Sequence, residues 1–135
     1  MTEVEAGTPA EVRHRLRVRY CETDRMGVAH HGSYISWFEE ARTEWLRARG
    51  SSYREWEEAG VFLQVVEVEV RYLHPTTYDD EVEIRTRLAE RRRASITFEY
   101  EVGLAGSSRV AATGKTKLAC VDAEGRLRRL PSLRV

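Results

Sequence analysis

The chain has 135 residues, of which 41% are hydrophobic and 33% charged, and its 22 basic side chains balance 22 acidic ones. This composition is typical of one soluble globular domain and excludes a disordered chain. Zero formal net charge disfavours nucleic acid as a partner, and no run approaches the roughly 20 apolar residues of a membrane span. We therefore expect a cytoplasmic protein.

The first residues differ in character from those that follow. Residues 1–12 are polar and lack the apolar core of a signal peptide, so we predict a flexible segment ahead of a single domain over residues 13–135. Cys21 and Cys120 have neither metal-ligand spacing nor a secretory context. A disulfide framework is therefore not expected.

A strand and a long helix open the predicted domain. From His14 to Tyr20, apolar and aromatic residues alternate with arginines, which is the period of a strand with one buried face. Ser33 is a suitable N-cap for the helix that follows, and Gly50 is suited to end it. The apolar face of this helix, most of which we expect in the core, comprises Tyr34, Trp37, Phe38, Ala41 and Trp45.

The second half of the chain is predicted to form a sheet. Ser52 and Glu55 give a capping-box pattern for a short helix that Gly60 ends. Beyond it, alternating segments are separated by short turns, which favours one antiparallel meander over βαβ units. The predicted strands are 61–72, 82–88, 96–104, 109–121 and 127–130. We therefore predict an α+β fold, with an antiparallel five- or six-stranded sheet and one central amphipathic helix.

The loop between the first strand and the long helix contains the candidate catalytic residues. Asp24, His30 and His31 lie in it, together with Gly27 and Gly32. A helix N-terminus has unpaired N–H donors and a partial positive charge, so it can hold an oxygen on which negative charge develops. A carboxylate beside such donors is suited to acyl transfer.

Thioester hydrolysis needs a base or nucleophile and donors that stabilise the oxyanion. Asp24 is suited to the first role, either by deprotonating a water molecule or by attacking directly to form a mixed anhydride. The backbone N–H groups around His31 and Gly32 are suited to the second. The His31 side chain would orient Asp24, the water or the leaving thiolate.

Simpler interpretations of the same residues stay open. Asp24 is also suited to an Asx turn or a cap. His30 and His31 form either a surface pair or two ligands of a transition metal, but no third ligand has a helpful spacing and we predict no metal site. A thiol triad of Cys21, His31 and Asp24 is disfavoured, because Cys21 follows strand-like sequence and its thiol needs a base within hydrogen-bond reach.

Three segments resemble those of a known family. The loop motif is Tyr20-x-Glu22-Thr23-Asp24-x-x-Gly27-Val28-x-x-His31-x-x-Tyr34, and the helix adds Phe38-Glu39-x-Ala41-Arg42-x-Glu44-Trp45-Leu46. Further on, Val70-x-Tyr72-x-x-Pro75 precedes Asp79-Asp80. Over about residues 13–130 the chain resembles the hotdog-fold acyl-CoA thioesterases of the 4-hydroxybenzoyl-CoA thioesterase/YbgC type.

This resemblance implies a hotdog fold and hydrolysis of acyl-CoA, and it leaves the acyl group open. It places the family's catalytic acid on Asp24, its glycine on Gly27, and both its loop histidine and its backbone N–H donor on His31. We expect Gly27, His30 and Tyr34 to contact the substrate. Position 30 is often aromatic in relatives, so His30 is a departure from the family pattern. The resemblance also implies a homodimer or homotetramer with the site at the subunit interface. No cofactor is expected, since coenzyme A is part of the substrate.

Two other segments are weaker candidates. Glu39 is either a catalytic carboxylate, which some hotdog enzymes carry on the helix, or the partner of Arg42 in an ion pair, which we favour. Arg91, Arg92 and Arg93 form either a solvated hairpin corner or a binding site for the phosphates of coenzyme A.

Two other functions also stay open on the sequence. The first is a hotdog module that binds acyl-CoA or another ligand without hydrolysing it, as some regulators with this fold do, although no added DNA-binding helix is visible in the sequence. A hotdog hydratase or dehydratase also uses a histidine and a carboxylate, although these enzymes usually place the pair differently relative to the helix.

Overall fold

The computed structural model describes residues 10–133. Within this range the chain forms five strands, one 3₁₀ turn at Tyr20–Glu22 and two α-helices. None of these helices is long and apolar enough to cross a membrane. The elements are β1 (Glu11–Arg17), α1 (Ser33–Ala48), α2 (Tyr53–Glu58), β2 (Phe62–Tyr72), β3 (Glu81–Arg91), β4 (Ser95–Leu104) and β5 (Val110–Val121).

The five strands form one sheet in the order β1-β3-β4-β5-β2, and all neighbouring strands are antiparallel. The successive strands β3, β4 and β5 pair as predicted. The prediction of a single meander is wrong for β2, which lies beyond β5 and not beside β3. The connection 73–80 crosses the end of the sheet instead, because its backbone bonds first to Ala111 of β5 and then to Val18, just beyond β1.

Helix α1 packs its apolar face against one side of the sheet. Trp37, Phe38 and Trp45 are at most 2% exposed, which confirms the predicted core. Phe38 stacks on Tyr100 of β4, with ring centroids 4.3 Å apart. Gly114 of β5 leaves room for this contact, since a Cβ there would lie 2.2 Å from the Phe38 ring. These contacts fix the position of α1 on β4 and β5.

Strand β2 departs from the half-buried pattern of β3 and β4. Its valines and glutamates alternate as predicted, but residues 64–69 are exposed on both faces. A bulge between Val65 and Glu67 interrupts its pairing with β5. The valine side of β2 is therefore not buried within one chain, because this strand is an edge that α1 does not cover.

The first predicted strand has different bounds in the structure. β1 begins at Glu11, inside the segment predicted to be flexible, and the remainder of that segment, residues 1–9, lies outside the described residues. Tyr20 was predicted to be buried but is 78% exposed. The reason is that the chain leaves the strand after Arg17 and turns at Tyr20–Glu22, where the Glu22 carboxylate accepts the Arg19 N–H at 2.7 Å.

The C-terminal ends of both helices and the start of α2 follow their predicted chemistry. Gly50 and Gly60 come directly after the ends of α1 and α2 and have φ values of 78° and 82°. Only glycine adopts this region without strain. Ser52 Oγ accepts the N–H of Glu55 at 3.1 Å, which confirms Ser52 as the N-cap of α2.

Two predicted features do not form. Gly32, not Ser33, occupies the N-cap of α1, because the Ser33 hydroxyl instead donates to the Glu22 carbonyl at 2.9 Å. The predicted return strand over 127–130 is reduced to a single bridge between Val121 and Leu127.

Candidate active site

The loop that joins β1 to α1 is a compact hairpin. Asp24 N–H donates to the Val28 carbonyl at 2.9 Å, and His30 N–H donates to the Glu22 carbonyl at 2.7 Å. A bridge from Val28 to Thr77 ties the tip of the hairpin to the connection 73–80. Asp24 and the residues that lead into α1 therefore belong to one hydrogen-bonded unit at the end of the sheet.

Asp24 lies exposed near the tip of this hairpin. Its Oδ1 accepts the N–H of Met26 at 2.8 Å, which confirms the Asx-turn interpretation for this oxygen. The second carboxylate oxygen has no hydrogen-bond partner within residues 10–133 and is free to act on a substrate or a water molecule. Gly27 completes the turn with φ of 81°, a conformation that favours glycine.

Glu22 anchors the loop from beneath and was given no role in the sequence analysis. It is 9% exposed, and its carboxylate accepts hydrogen bonds from the Arg19 N–H and from Trp37 Nε1, the latter at 3.0 Å. Burial by itself would raise the pKa of Glu22, but these bonds and the Arg19 side chain together hold the pKa below its usual value. Glu22 therefore stays ionised and connects the loop to the second turn of α1.

Several backbone groups at the entry to α1 already have hydrogen-bond partners. The His30 carbonyl accepts the Ser33 N–H at 2.9 Å, and the Gly32 carbonyl accepts the Ile35 N–H at 3.2 Å. The Gly32 N–H donates to Nδ1 of His30 at 3.0 Å. By contrast, the His31 N–H has no partner in the described part of the chain. It is the donor that the resemblance assigned to catalysis, whereas the Gly32 N–H, predicted to share this role, is already bound.

Tyr72, the last residue of β2, and Thr76, in the connection to β3, both form hydrogen bonds near this entry. Tyr72 Oη donates to the His31 carbonyl at 2.7 Å. Thr76 is fully buried, its hydroxyl bonds to the Tyr34 hydroxyl at 3.0 Å, and its carbonyl accepts the Ala29 N–H at 2.7 Å. Neither residue is predicted from the sequence to belong to the site, although Tyr72 lies in the motif Val70-x-Tyr72-x-x-Pro75.

The predicted substrate contacts fall in different environments. His30 is exposed, and its ring packs against that of His31 with centroids 4.0 Å apart. Tyr34 is only 2% exposed and therefore lies beneath the loop, not on its open side. A surface cavity of about 390 Å³, within the range of small-molecule sites, opens beside the start of α1. Its lining is polar and comprises Arg19, Cys21, Glu22, Thr23, His30, Gly32, Ser33 and Ser36.

The three arginines of the predicted phosphate site are distant from this loop within one chain. Arg17 pairs with Glu81 at the start of β3, whereas Arg91 ends that strand ten residues later, so the two ends are about 33 Å apart. Arg91 donates to the Pro131 carbonyl at 2.7 Å, and Arg92 forms an ion pair with Glu90. The arginines can therefore serve this loop only from a second copy of the chain.

The predicted ion pair between Glu39 and Arg42 is wrong. No such pair forms within residues 10–133, because Arg42 turns inward, is 6% exposed and lies beside the hydroxyl groups of Tyr53 and Tyr100. Burial raises the pKa of Tyr53 to about 12, so that hydroxyl stays neutral. Glu39 is exposed on α1, and its catalytic role stays a prediction.

The thiol triad gains no support from the geometry. Cys21 is an exposed free thiol in the 3₁₀ turn, and over the described range no hydrogen bond joins it to His31 or Asp24. Cys120 is a buried free thiol on β5.

A larger concavity of about 660 Å³ lies on the face of the sheet opposite α1. Its walls are rows of charged side chains, and ion pairs join Arg85 to Glu101 and Arg87 to Glu99 across β3 and β4. The charged side chains of this surface are largely paired with one another. The loop at the start of α1 is the better candidate site, because it holds an exposed carboxylate and a backbone N–H that is unpaired within the described residues.

Known proteins share this fold and much of this sequence. The acyl-CoA thioester hydrolase YbgC of Escherichia coli O6:H1 is 33% identical over 107 residues, which is 79% of each chain. The crystal structure of a DHNA-CoA thioesterase from Staphylococcus aureus has a TM-score of 0.85 and 31% identity, and the match covers 89% of this chain and 80% of that one. The protein TT1821 from Thermus thermophilus has a TM-score of 0.83 and 38% identity, covering 89% and 91%.

The hotdog fold implied by the resemblance is therefore confirmed, with five antiparallel strands and one long helix on a face of the sheet. The profile of the thioesterase-like superfamily matches residues 18–134, which include the loop, α1 and four of the five strands. The chain belongs to the thioesterase-like superfamily.

Proposed function

We propose that the protein hydrolyses acyl-CoA thioesters, with Asp24 as base or nucleophile and the His31 N–H as donor to the thioester carbonyl. The observation that carries this proposal is the unpaired His31 N–H at the start of α1, in the same hairpin unit as the exposed Asp24. The dipole of a helix of 16 residues adds partial positive charge at this position.

The chemistry requires few groups. A water molecule attacks the thioester carbon, its proton passes to Asp24, and the carbonyl oxygen becomes an oxyanion that accepts a hydrogen bond from His31 N–H. The C–S bond then breaks, and the coenzyme A thiolate takes up the proton that Asp24 received from water, which restores the carboxylate. If Asp24 attacks directly, a mixed anhydride forms, thiolate leaves, and water hydrolyses the anhydride. One donor of this kind contributes about 2.7–4 kcal/mol in measured oxyanion holes.

The similar proteins support both the reaction and the substrate class. YbgC is named an acyl-CoA thioester hydrolase, and two of the similar solved structures are a DHNA-CoA thioesterase and a gentisyl-coenzyme A thioesterase. The last of these is 26% identical to the chain, with a TM-score of 0.83. We therefore include an aromatic acyl group among the substrates to be tested.

We infer that the chain self-associates through β2. This strand is the edge of the sheet next to β5, and its exposed apolar side chains include Val65, Val66 and Val68, which are 42–52% exposed. Long apolar edges are protected in soluble proteins because they pair with other chains. A second copy seated on this edge is the occupant that covers the valines, and it is the only source of Arg91, Arg92 and Arg93 near the loop.

The test is thiol release from aromatic, short-chain and long-chain acyl-CoA by the wild type and Asp24→Asn. Asn keeps an oxygen for the Met26 N–H, so the loop should keep its shape while turnover falls about 10²- to 10⁴-fold. Asp122→Asn is the matched control, since Asp122 Oδ1 accepts N–H groups in the turn after β5, at the other end of the sheet. Full turnover by Asp24→Asn would remove Asp24 from its role.

The same panel separates the two alternative functions. Thermal stabilisation by coenzyme A with no thiol release from any substrate would indicate a binding module. Hydration of an enoyl-CoA without thiol release would indicate a hydratase.

A further inference from the structure

We propose that Tyr72 is a positioning residue that holds the His31 N–H in the direction needed for oxyanion stabilisation. This inference rests on the proposed function and adds to it a residue outside the loop. Tyr72 ends β2 and acts through the peptide that joins His31 to Gly32, whose carbonyl accepts the tyrosine hydroxyl at 2.7 Å.

The peptide between His31 and Gly32 is held on both sides. A trans peptide is planar, with its C=O and N–H pointing in opposite directions. Tyr72 holds the C=O end, and Nδ1 of His30 holds the N–H end at 3.0 Å. With both groups fixed, this peptide plane cannot rotate without breaking a hydrogen bond.

The preceding peptide, between His30 and His31, carries the proposed donor. Its carbonyl accepts the Ser33 N–H at 2.9 Å, which leaves the His31 N–H on the opposite side. Rotations about the backbone of His31 are therefore limited by a hydrogen bond on each flanking peptide. Loss of the Tyr72 hydrogen bond would leave the peptide between His31 and Gly32 bonded only to the exposed imidazole of His30.

Tyr72 is itself well supported. Its ring packs edge-on against Tyr34, with centroids 5.2 Å apart and an interplanar angle of 84°. Tyr34 is buried and bonded to the fully buried Thr76. Burial first, and then the neighbouring Tyr34, raise the pKa of Tyr72, so its hydroxyl is a neutral donor near neutral pH.

The kinetic consequence is specific. Negative charge on the thioester oxygen is larger in the transition state than in the bound substrate. A misdirected donor therefore raises the free energy of the transition state more than that of the bound substrate. Loss of the Tyr72 hydroxyl should therefore lower kcat and kcat/KM by the same factor, about tenfold, with KM unchanged.

The experiment compares Tyr72→Phe with Tyr78→Phe in the full-length protein. Tyr78 is 59% exposed and packs against Tyr20, and its hydroxyl has no hydrogen bond within residues 10–133. Three quantities are measured for each variant: the thermal midpoint, kcat and KM on the best acyl-CoA, and the hydrogen-exchange rates of the His31 and Gly32 amides. The exchange rate of the Gly32 amide reports how often its hydrogen bond opens, and it can be measured without any substrate.

We expect Tyr72→Phe to unfold at the wild-type temperature, to lose about tenfold in kcat at constant KM, and to exchange the Gly32 amide several times faster. Tyr78→Phe should match the wild type in every quantity. Unchanged Gly32 exchange in Tyr72→Phe, or a loss confined to KM, would overturn the inference. A wild-type protein that releases no thiol would contradict the proposed function instead, while the exchange rates would still decide whether Tyr72 holds the peptide.

Discussion

Glu22 and Trp37 are joined by a hydrogen bond of 3.0 Å between the indole Nε1 and the carboxylate Oε2. The bond links the loop that carries Asp24 to α1, and both residues are at least 91% buried. The two residues come from different elements, so their contact depends on the packing of the loop against the helix. The position of the candidate site therefore depends on a buried carboxylate that is not one of the proposed catalytic groups.

Replacement of this carboxylate should destabilise the protein. Glu22→Gln replaces one acceptor oxygen by an NH₂ group, which then faces the donors of Arg19 or Trp37. We expect the free energy of unfolding to fall by about 1.5–3 kcal/mol, the usual value for a hydrogen bond to a charged group. Urea denaturation measures this change. Glu57→Gln, on the exposed side of α2, is the control and should change the free energy by less than about 0.5 kcal/mol.

The same carboxylate predicts a dependence of stability on pH. The pKa of Glu22 is lower in the folded protein than the value of about 4.3 in an unfolded chain. Its contribution is therefore fully present above about pH 4.3 and is lost as the pH falls through the folded-state pKa. The difference in unfolding free energy between the wild type and Glu22→Gln should shrink over this acid window. A difference that stays constant down to about pH 3 would show that ionisation of Glu22 contributes nothing.

Close packing of α1 on β5 predicts a large effect of one methyl group. A Cβ at position 114 would lie 2.2 Å from the Phe38 ring, so Gly114→Ala requires the helix or the ring to move. We expect a loss of about 1–3 kcal/mol in unfolding free energy, measured by denaturation. Adding Phe38→Leu should recover part of the loss, because the two changes share one contact. A loss in the double variant that equals the sum of the losses in the two single variants would contradict this explanation.

The exposed valines of β2 predict self-association. The wild type should sediment as a dimer or larger species, and Val68→Lys should shift it towards the monomer because it places a charge on the edge that the second copy is proposed to cover. Leu127→Lys is the control, since Leu127 is 70% exposed in the turn after β5. Sedimentation velocity distinguishes the species. A monomeric wild type at high concentration would show that β2 is not an interface.

The sequence by itself determined the elements whose signals are local. The apolar face of α1, the glycines after both helices and the alternation of β3 and β4 depend on residues close together in the chain, so their periodicity and caps were sufficient. The sequence also located the loop that carries Asp24 and His31, through a motif within 15 residues.

Only the tertiary structure decided which distant residues complete the site. Tyr72 contacts His31 across 41 positions of the chain, and this contact exists because the connection after β2 crosses the end of the sheet. The inward turn of Arg42 and the exposed position of Tyr20 depend on the same packing. Strand order and burial depend on how all the elements pack around one hydrophobic core. A pattern of residues close together in the chain does not determine that packing.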